Sequence, residues 1–407
     1  MKLAIISHTE HYFDNQGRIT GWGATVREIN YLTKLFEKIY HIAPLHPEVS
    51  PSSAIPYATN EELGIIEGES DLSNMNIIEN SEGSIAKYTI NNKLDFVPLQ
   101  VTGGERLADK INILLKAPSN LLKVSKILDK VDVFQFRAPA GIGVYMIPWL
   151  KLISKSGWFK YAGNWVHDNP PLGYRVQRFF LTHFSGNIVT INGKWSDQKK
   201  HCLTFENPCL SDEEIVLGKK EIEEKVYDGK LEFAFVGRLE DAKGVGRILE
   251  AFSRLKDFSR VGTVHLVGDG PQRDEYVRKA KEIPVDFVFH GFMSREKVGY
   301  LLGRCHVFLL PSESEGFPKV IAEAANYGCV PLVSDVSSVG QYIRTGDNGF
   351  VFSHKDLSGD ALYGQLKNLL EYGSLKDVAV RANQISEKFS FSYYLERIKN
   401  EVLPVLK

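Results

Sequence analysis

Glu315 and Glu323 are separated by seven residues, and the stretch between them, GFPKVIA, holds a glycine, a proline and the opening of an amphipathic helix that Gly328 closes. A proline near the first helical position and a glycine just past the last are the usual limits of a helix. The N–H groups of the first turn have no partner inside the helix and point back toward Glu315, which makes the helix start a ready anion site. Glu323 lies about a turn and a half further in. One carboxylate before the helix and one within it can flank an elongated, phosphate-bearing polar ligand.

Two cations complement them. Arg238 and Lys243 fall in one turn, GRLEDAKG, between an apolar strand and a helix. Arginine offers phosphate oxygens a planar fork and lysine a movable point charge, so the pair suits a diphosphate. Two basic residues alone would be read as a solvated loop, but the carboxylate segment leaves a later strand of the same sheet. Gly268-Asp-Gly-Pro271 and Gly291-Phe-Met-Ser294 follow two further strands, and short glycine-bearing loops let backbone approach a flat base or a phosphate. Together these groups describe a nucleoside diphosphate carrying a sugar.

The elements that must position them alternate regularly. Strands at 231–236, 264–267, 287–290, 307–310 and 330–333 alternate with helical stretches at 245–255, 273–281, 295–302 and 319–327, the pattern of a parallel sheet with helices on both faces. The acidic, lysine-rich and turn-prone stretch 207–229 reads as a linker. The first half alternates more loosely. Lys2 to Ser7 is a buried-type strand, followed by a long polar loop with His8, His11 and Gly21-Trp22-Gly23, which reads either as an element that covers a ligand or as a flexible surface loop. It is too long for a dinucleotide-binding turn. From 44 to 98 the periodicity is weak, with a short strand near 84–90, and 107–129 reads as helical. The strand at 131–136 delivers Arg137 to its carboxyl end, where ligands bind, although an arginine at a strand end is more often ion-paired. A strand over 161–166 ends in His167-Asp168.

The stretch 143–160 is apolar and aromatic with three lysines, Lys151, Lys155 and Lys160. It suits either a membrane interface or, more commonly, a packing helix with snorkelling lysines. The expectation is an α/β protein of two Rossmann-like lobes, 1–206 and 207–389, with a cleft between them and a C-terminal helix (390–407) crossing back to the first. At 407 residues the chain is long enough for two cores, and its net charge of −1 gives no case for nucleic acid. Four cysteines without metal-finger spacing fit a reduced, cytoplasmic chain. The N-terminus lacks the apolar core of a signal peptide, and no run reaches the length of a membrane span. Peripheral attachment to the inner face of the membrane stays open.

In order and spacing, GRLEDAKG, GDGP and SESEGFPKVIAE resemble the GRL…KG turn, the following loop and the E-x7-E signature of the retaining GT-B glycosyltransferases (family 4-like, group 1), over roughly 231–352. The resemblance implies GT-B architecture and transfer of a sugar from a nucleotide diphosphate sugar to a hydroxyl of an oligosaccharide or lipid-linked acceptor, with retention, in polysaccharide or glycoconjugate synthesis. It implies that Glu315 contacts the transferred sugar, Glu323 the ribose hydroxyls, and Arg238 with Lys243 the diphosphate. The amides of Gly316, Phe317, Pro318, Lys319 and Val320 (proline lending only its position) support the leaving group, while Gly268 and the Phe292-Met293 backbone border the nucleoside. No cofactor and no metal are implied. Where the family carries a histidine this chain has Arg137, so that contact passes either to Arg137 or to His167. A glutamate often found later appears as Gln341, which bears on donor-sugar selectivity. A nucleotide-sugar 2-epimerase and a non-catalytic sugar-nucleotide or glycan-binding protein are the alternatives on the same scaffold.

Overall fold

Apolar runs such as 3–6 and 307–310 have no polar face, so they form strands only where both sides are covered. The computed structural model describes residues 1–65, 87–101, 107–153, 155–166, 170–184 and 186–406. It shows that arrangement in two units: Met1–Ile191 with Trp195–Phe205 and Leu395–Lys407, and Asn192–Lys194 with Glu206–Tyr394.

The strands of the first unit are β1 (Lys2–Ile6), β2 (His11–Phe13), β3 (Ile19–Trp22), β4 (Lys38–Val49), β5 (Ala54–Pro56), β6 (Tyr88–Asn91), β7 (Leu94–Leu99), β8 (Val133–Ala138), β9 (Gly157–Tyr161), β10 (Ile188–Ile191) and β11 (Cys202–Thr204). The order β11-β10-β9-β8-β1-β4 is parallel throughout, and β7 lies parallel against the first half of β4. Helices Ala117–Leu128, Gly143–Leu152 and Leu172–His183 bring Val124, Ile127, Met146, Ile147, Leu150 and Leu181 onto a core with Ile6, Phe134 and Phe136.

Several expectations for this half are corrected. The glycine-bearing loop is a β2–β3 hairpin, because its ends, HYF and ITGW, have strand character and Asp14 folds the tip. The Asp14 carboxylate accepts the N–H groups of Gln16 at 2.9 Å and Arg18 at 2.8 Å. The stretch 143–160 is not one element. It is a helix to Leu152 and then β9, whose Trp158 and Phe159 are fully buried, so the strand expected at 161–166 lies earlier. The helical stretch 107–129 divides at Lys116, where Pro118 starts a second helix. The poorly patterned 44–98 region holds the end of β4 and β5 to β7, the expected strand at 84–90 being described from 87 onward.

The second unit has β12 (Leu231–Val236), β13 (Val261–Val267), β14 (Phe287–Gly291), β15 (Val307–Leu310), β16 (Val330–Asp335) and β17 (Phe350–Ser353) in the parallel order β14-β13-β12-β15-β16-β17. Both sheets are thus of the doubly wound α/β kind. The stretch read as a linker is largely the helix Asp212–Glu224, started by a capping box in which Ser211 and Glu214 satisfy each other's backbone N–H groups.

A buried polar chain crosses the first unit beside β1 and β4. Ser7 Oγ lies 2.8 Å from His41 Nε2, His41 Nδ1 lies 2.6 Å from the Tyr57 hydroxyl, and that hydroxyl lies 2.8 Å from His11 Nε2. Burial pushes His11 down to about 4 and His41 well below the usual histidine value. In the unfolded chain both take up a proton near pH 6.5. Stability from these neutral histidines is therefore full above pH 6.5 and is lost as pH falls from there through about 4. A urea-unfolding midpoint measured at pH 7.5, 6 and 5 is expected to fall, by roughly 2 kcal/mol of stability at pH 5 from His11 alone. A midpoint unchanged down to pH 5 would contradict the neutral, buried assignment.

Candidate active site

In the second unit β12, β13 and β14 step outward in one direction, and the chain then returns to lay β15 on the other side of β12. Neighbouring strands whose connections leave in opposite directions open a crevice at their carboxyl ends, the usual ligand position in open α/β sheets. The loops flanking it are 237–244 after β12 and 311–318 after β15.

Gly244 takes the left-handed conformation, φ 81°, that lets the first loop turn directly into helix Val245–Ser253, and a Cβ there would meet the Pro311 carbonyl oxygen at 2.1 Å. The two loops touch backbone to backbone. Glu313 N–H donates to the Ala242 carbonyl at 2.9 Å. The buried Arg247 donates Nε to the Pro311 carbonyl at 3.1 Å, Nη2 to the same oxygen, and Nη1 to Glu313 Oε1 at 2.9 Å. Asp241 ties the turn to the loop after β13, accepting from the Tyr276 hydroxyl at 2.7 Å and from Gln272 Nε2 at 2.5 Å. Burial and the bond to Asp241 hold that hydroxyl protonated well above its ordinary range.

This frame brings two expected residues together. Lys243 Nζ lies 2.5 Å from Glu315 Oε1, with the side chains 26% and 14% exposed. Arg238 stands apart, 70% exposed and 3.4 Å from Glu240 Oε2, a surface contact that holds a side chain only weakly. Glu323 is joined to neither. Its Oε1 accepts from Arg295 Nη1, and Arg295 also reaches Glu214 Oε1 at 2.8 Å and the Cys209 carbonyl at 2.6 Å.

Helix Lys319–Asn326 starts at Pro318, whose side chain carries no acceptor for the first-turn N–H groups, and closes with Gly328 N–H on Ala325 at 3.1 Å and Cys329 N–H on Ala324 at 3.0 Å. Phe317 is buried, its ring centroid 4.5 Å from Phe389 and 4.9 Å from Tyr342. Val320 packs on the core, and Lys319 donates to the Pro208 carbonyl at 2.9 Å. Side chains of residues 317–320 serve the fold, and what the stretch 316–320 can offer a ligand is backbone. Gly268 is pressed so closely on the 237 turn that a Cβ would lie 1.9 Å from the Gly237 oxygen, and its N–H donates to Gly291 at 2.8 Å. A cavity of about 400 Å³ opens beside it, lined by Asp269, Gly270, Pro271, Arg273, Asp274 and Gly291. Phe292 is exposed next to Gly291, while Met293 packs on the core.

Of the residues singled out in the first unit, Arg137 donates Nε to Gln135 at 2.9 Å and Nη2 to Glu28 at 3.0 Å, and Glu28 also holds Lys160 at 2.6 Å. Gly21 pairs with His11 across the hairpin, Trp22 is exposed at the end of β3, and Gly23 opens helix Gly23–Leu32. His167 lies outside the described residues. Gln341 binds the Lys194 backbone, accepting from its N–H at 2.7 Å and donating to its carbonyl at 3.0 Å, a clamp on the 192–194 segment of the second unit.

Asp241, Arg247 and Arg295 were not among the residues picked from the sequence. Arg247 had a legible signal, a charge on the apolar face of GVGRILEAF one turn past Gly244. Arg295 had none, because its partners lie 81, 28 and 86 residues away.

Residues 218–385 match the family model of the glycosyl transferases group 1. Glycogen synthase of Mycobacterium tuberculosis is 31% identical over 133 residues, 32% of each chain. The 2-deoxystreptamine N-acetyl-D-glucosaminyltransferase of Niallia circulans is 33% identical over 147 residues, 34% of this chain and 37% of that one. The chain thus spans about a third of the length of the curated relatives it matches. Anabaena Alr3699/HepE, solved in complex with UDP, superposes over 100% of both chains with TM-score 0.64 at 14% identity, a likeness of fold.

Removing the Arg247 clamp tests the frame. Arg247→Met leaves the Pro311 carbonyl without its donors and is expected to cost about 1–3 kcal/mol in a denaturant titration, with faster amide exchange over 311–316. Unchanged stability and exchange would show that the loops hold without it.

Proposed function

We propose, from the match of residues 218–385 to the glycosyl transferases group 1, that the chain transfers a hexose-type unit from a nucleotide diphosphate sugar to a hydroxyl of an oligosaccharide or lipid-linked acceptor, with retention at the anomeric carbon. The observation that carries the reading is the Lys243–Glu315 pair at the crevice between β12 and β15, a cation and a carboxylate fixed side by side beside an uncapped helix start. A diphosphate entering there meets the Lys243 ammonium, whose three N–H groups serve Glu315 and a phosphate oxygen together. The exposed Arg238 closes on the same phosphates, and the first-turn amides of helix Lys319–Asn326 add their dipole.

In this reading the bond between the anomeric carbon and the departing phosphate oxygen breaks as the acceptor oxygen bonds to the same face. The acceptor's proton passes to the departing phosphate. Negative charge grows on the diphosphate in the transition state, so fixed cations there lower the barrier more than they tighten ground-state binding. Glu315 orients the sugar, Glu323 takes the ribose hydroxyls, and the cavity beside Gly270 and Gly291 borders the nucleoside. Charge neutralisation by protein groups makes the reaction metal-independent, and activity is expected to persist in a chelator. UDP in the Alr3699/HepE complex supports a nucleotide at this kind of site, and glycogen synthase among the relatives supports a glycan acceptor.

Lys243→Ala is expected to lower kcat about 10²–10³-fold with a smaller effect on the KM for the donor, as for loss of one group that stabilises developing charge. Glu323→Ala is expected to raise that KM chiefly. Steady-state rates and the anomeric configuration of the product by NMR check both claims. Wild-type rates from both variants would end the assignment, and an inverted product would end the retaining mechanism.

A further inference from the structure

Arg295 is the first residue of helix Arg295–Arg304, and its guanidinium joins three separate segments. Nε donates to Glu214 Oε1 at 2.8 Å, Nη2 to the Cys209 carbonyl at 2.6 Å, and Nη1 to Glu323 Oε1. The first two partners are themselves fixed. The other oxygen of Glu214 accepts the Ser211 N–H at 2.8 Å in the capping box, and the Cys209 N–H donates to the Phe389 carbonyl at 2.8 Å. A planar fork held at two corners has no freedom left at the third. The direction from which Glu323 is approached is thus set by residues of another helix and another loop.

The consequence falls on Glu323. Its Oε1 is held by the Arg295 fork, which fixes the plane of the carboxylate, and in the nucleotide-sugar reading its Oε2 is left to meet the ligand. A vicinal diol donates two O–H groups and is best met by an ionised, oriented carboxylate, whereas a 2′-deoxy sugar supplies one fewer. We propose that Arg295 is the positioning residue of this site. By holding Glu323 it sets the preference for a ribonucleotide over the 2′-deoxyribonucleotide. The proposal rests on the nucleotide-sugar reading, in which Glu323 takes the ribose. Arg295 itself touches no substrate.

Calorimetric titration of the full chain with UDP and GDP, and with dUDP and dGDP, tests it. Wild type is expected to bind the better ribonucleotide about tenfold more tightly than its deoxy counterpart, about one hydrogen bond's difference. Arg295→Met is expected to bring that ratio close to one by weakening the ribonucleotide alone, as is Glu323→Ala. Arg295→Lys keeps the charge without the fork; it is expected to fall between and serves if the methionine variant fails to fold. A purely structural role would weaken both nucleotides equally and leave the ratio intact. If Glu323→Ala collapses the ratio while both Arg295 variants keep it, the positioning role is overturned and the diol assignment survives. If Glu323→Ala also keeps it, or wild type binds none of the four, both fall.

Discussion

The Pro311 carbonyl oxygen accepts two N–H groups of the buried Arg247, and through it the loops that leave β12 and β15 are held together. Parallel neighbours whose connections depart in opposite directions must part at their carboxyl ends, and parting strips both chains of ladder partners. Arg247 supplies the missing donors to one loop, and the Glu313-to-Ala242 bond joins the backbones directly. Gly244 is required by the same approach, since a side chain there would occupy the place of the Pro311 oxygen. Lys243 and Glu315 flank this seam in sequence, so their meeting follows from it.

The cations at the crevice are graded by how firmly they are held. Arg247 is 9% exposed and spends its fork on the seam. Lys243, at 26%, has one carboxylate and spare N–H groups. Arg238, at 70%, has a loose contact with its own loop. Burial converts a charge into structure, because a desolvated group must be fully paired, while an exposed one keeps its water and can exchange it for a ligand. The same chemistry thus serves framework, transition-state charge and capture within one stretch of ten residues, 238–247.

The second unit was legible because its local signals agree: strands β12 and β15 had the expected bounds, and Gly244 and both carboxylates lie at the crevice loops or on the helix that follows. What escaped was long-range. No spacing links Arg295 to Glu214 and Glu323, and Gln341, read as bearing on donor-sugar selectivity, has its side-chain amide on the Lys194 backbone. The 207–229 stretch was misread although Ser211-x-x-Glu214 is a helix-start signature, because charged residues on an exposed helix look like those of a linker. In the first unit, burial on both faces erased the periodicity that separates strand from helix, which is why β9 was hidden behind helix Gly143–Leu152.

Arg137 illustrates the limit of reading a site from the end of a strand. It stands at the carboxyl edge of β8, where ligands bind, yet two of its guanidinium nitrogens go to Gln135 and Glu28. Glu28 is buried and shares one oxygen with Lys160, so loss of Arg137 would alter a buried charge cluster as well as any contact at the edge. Lysine at 137 would keep the charge and lose the fork that spans Gln135 and Glu28. Whatever Arg137 offers a ligand is therefore subordinate to Glu28. The contrast with the second unit is physical. There the buried Arg247 faces one carbonyl and one half-exposed carboxylate of a crevice loop, so its burial organises the site. In the first unit the fork turns inward, and its burial organises the fold.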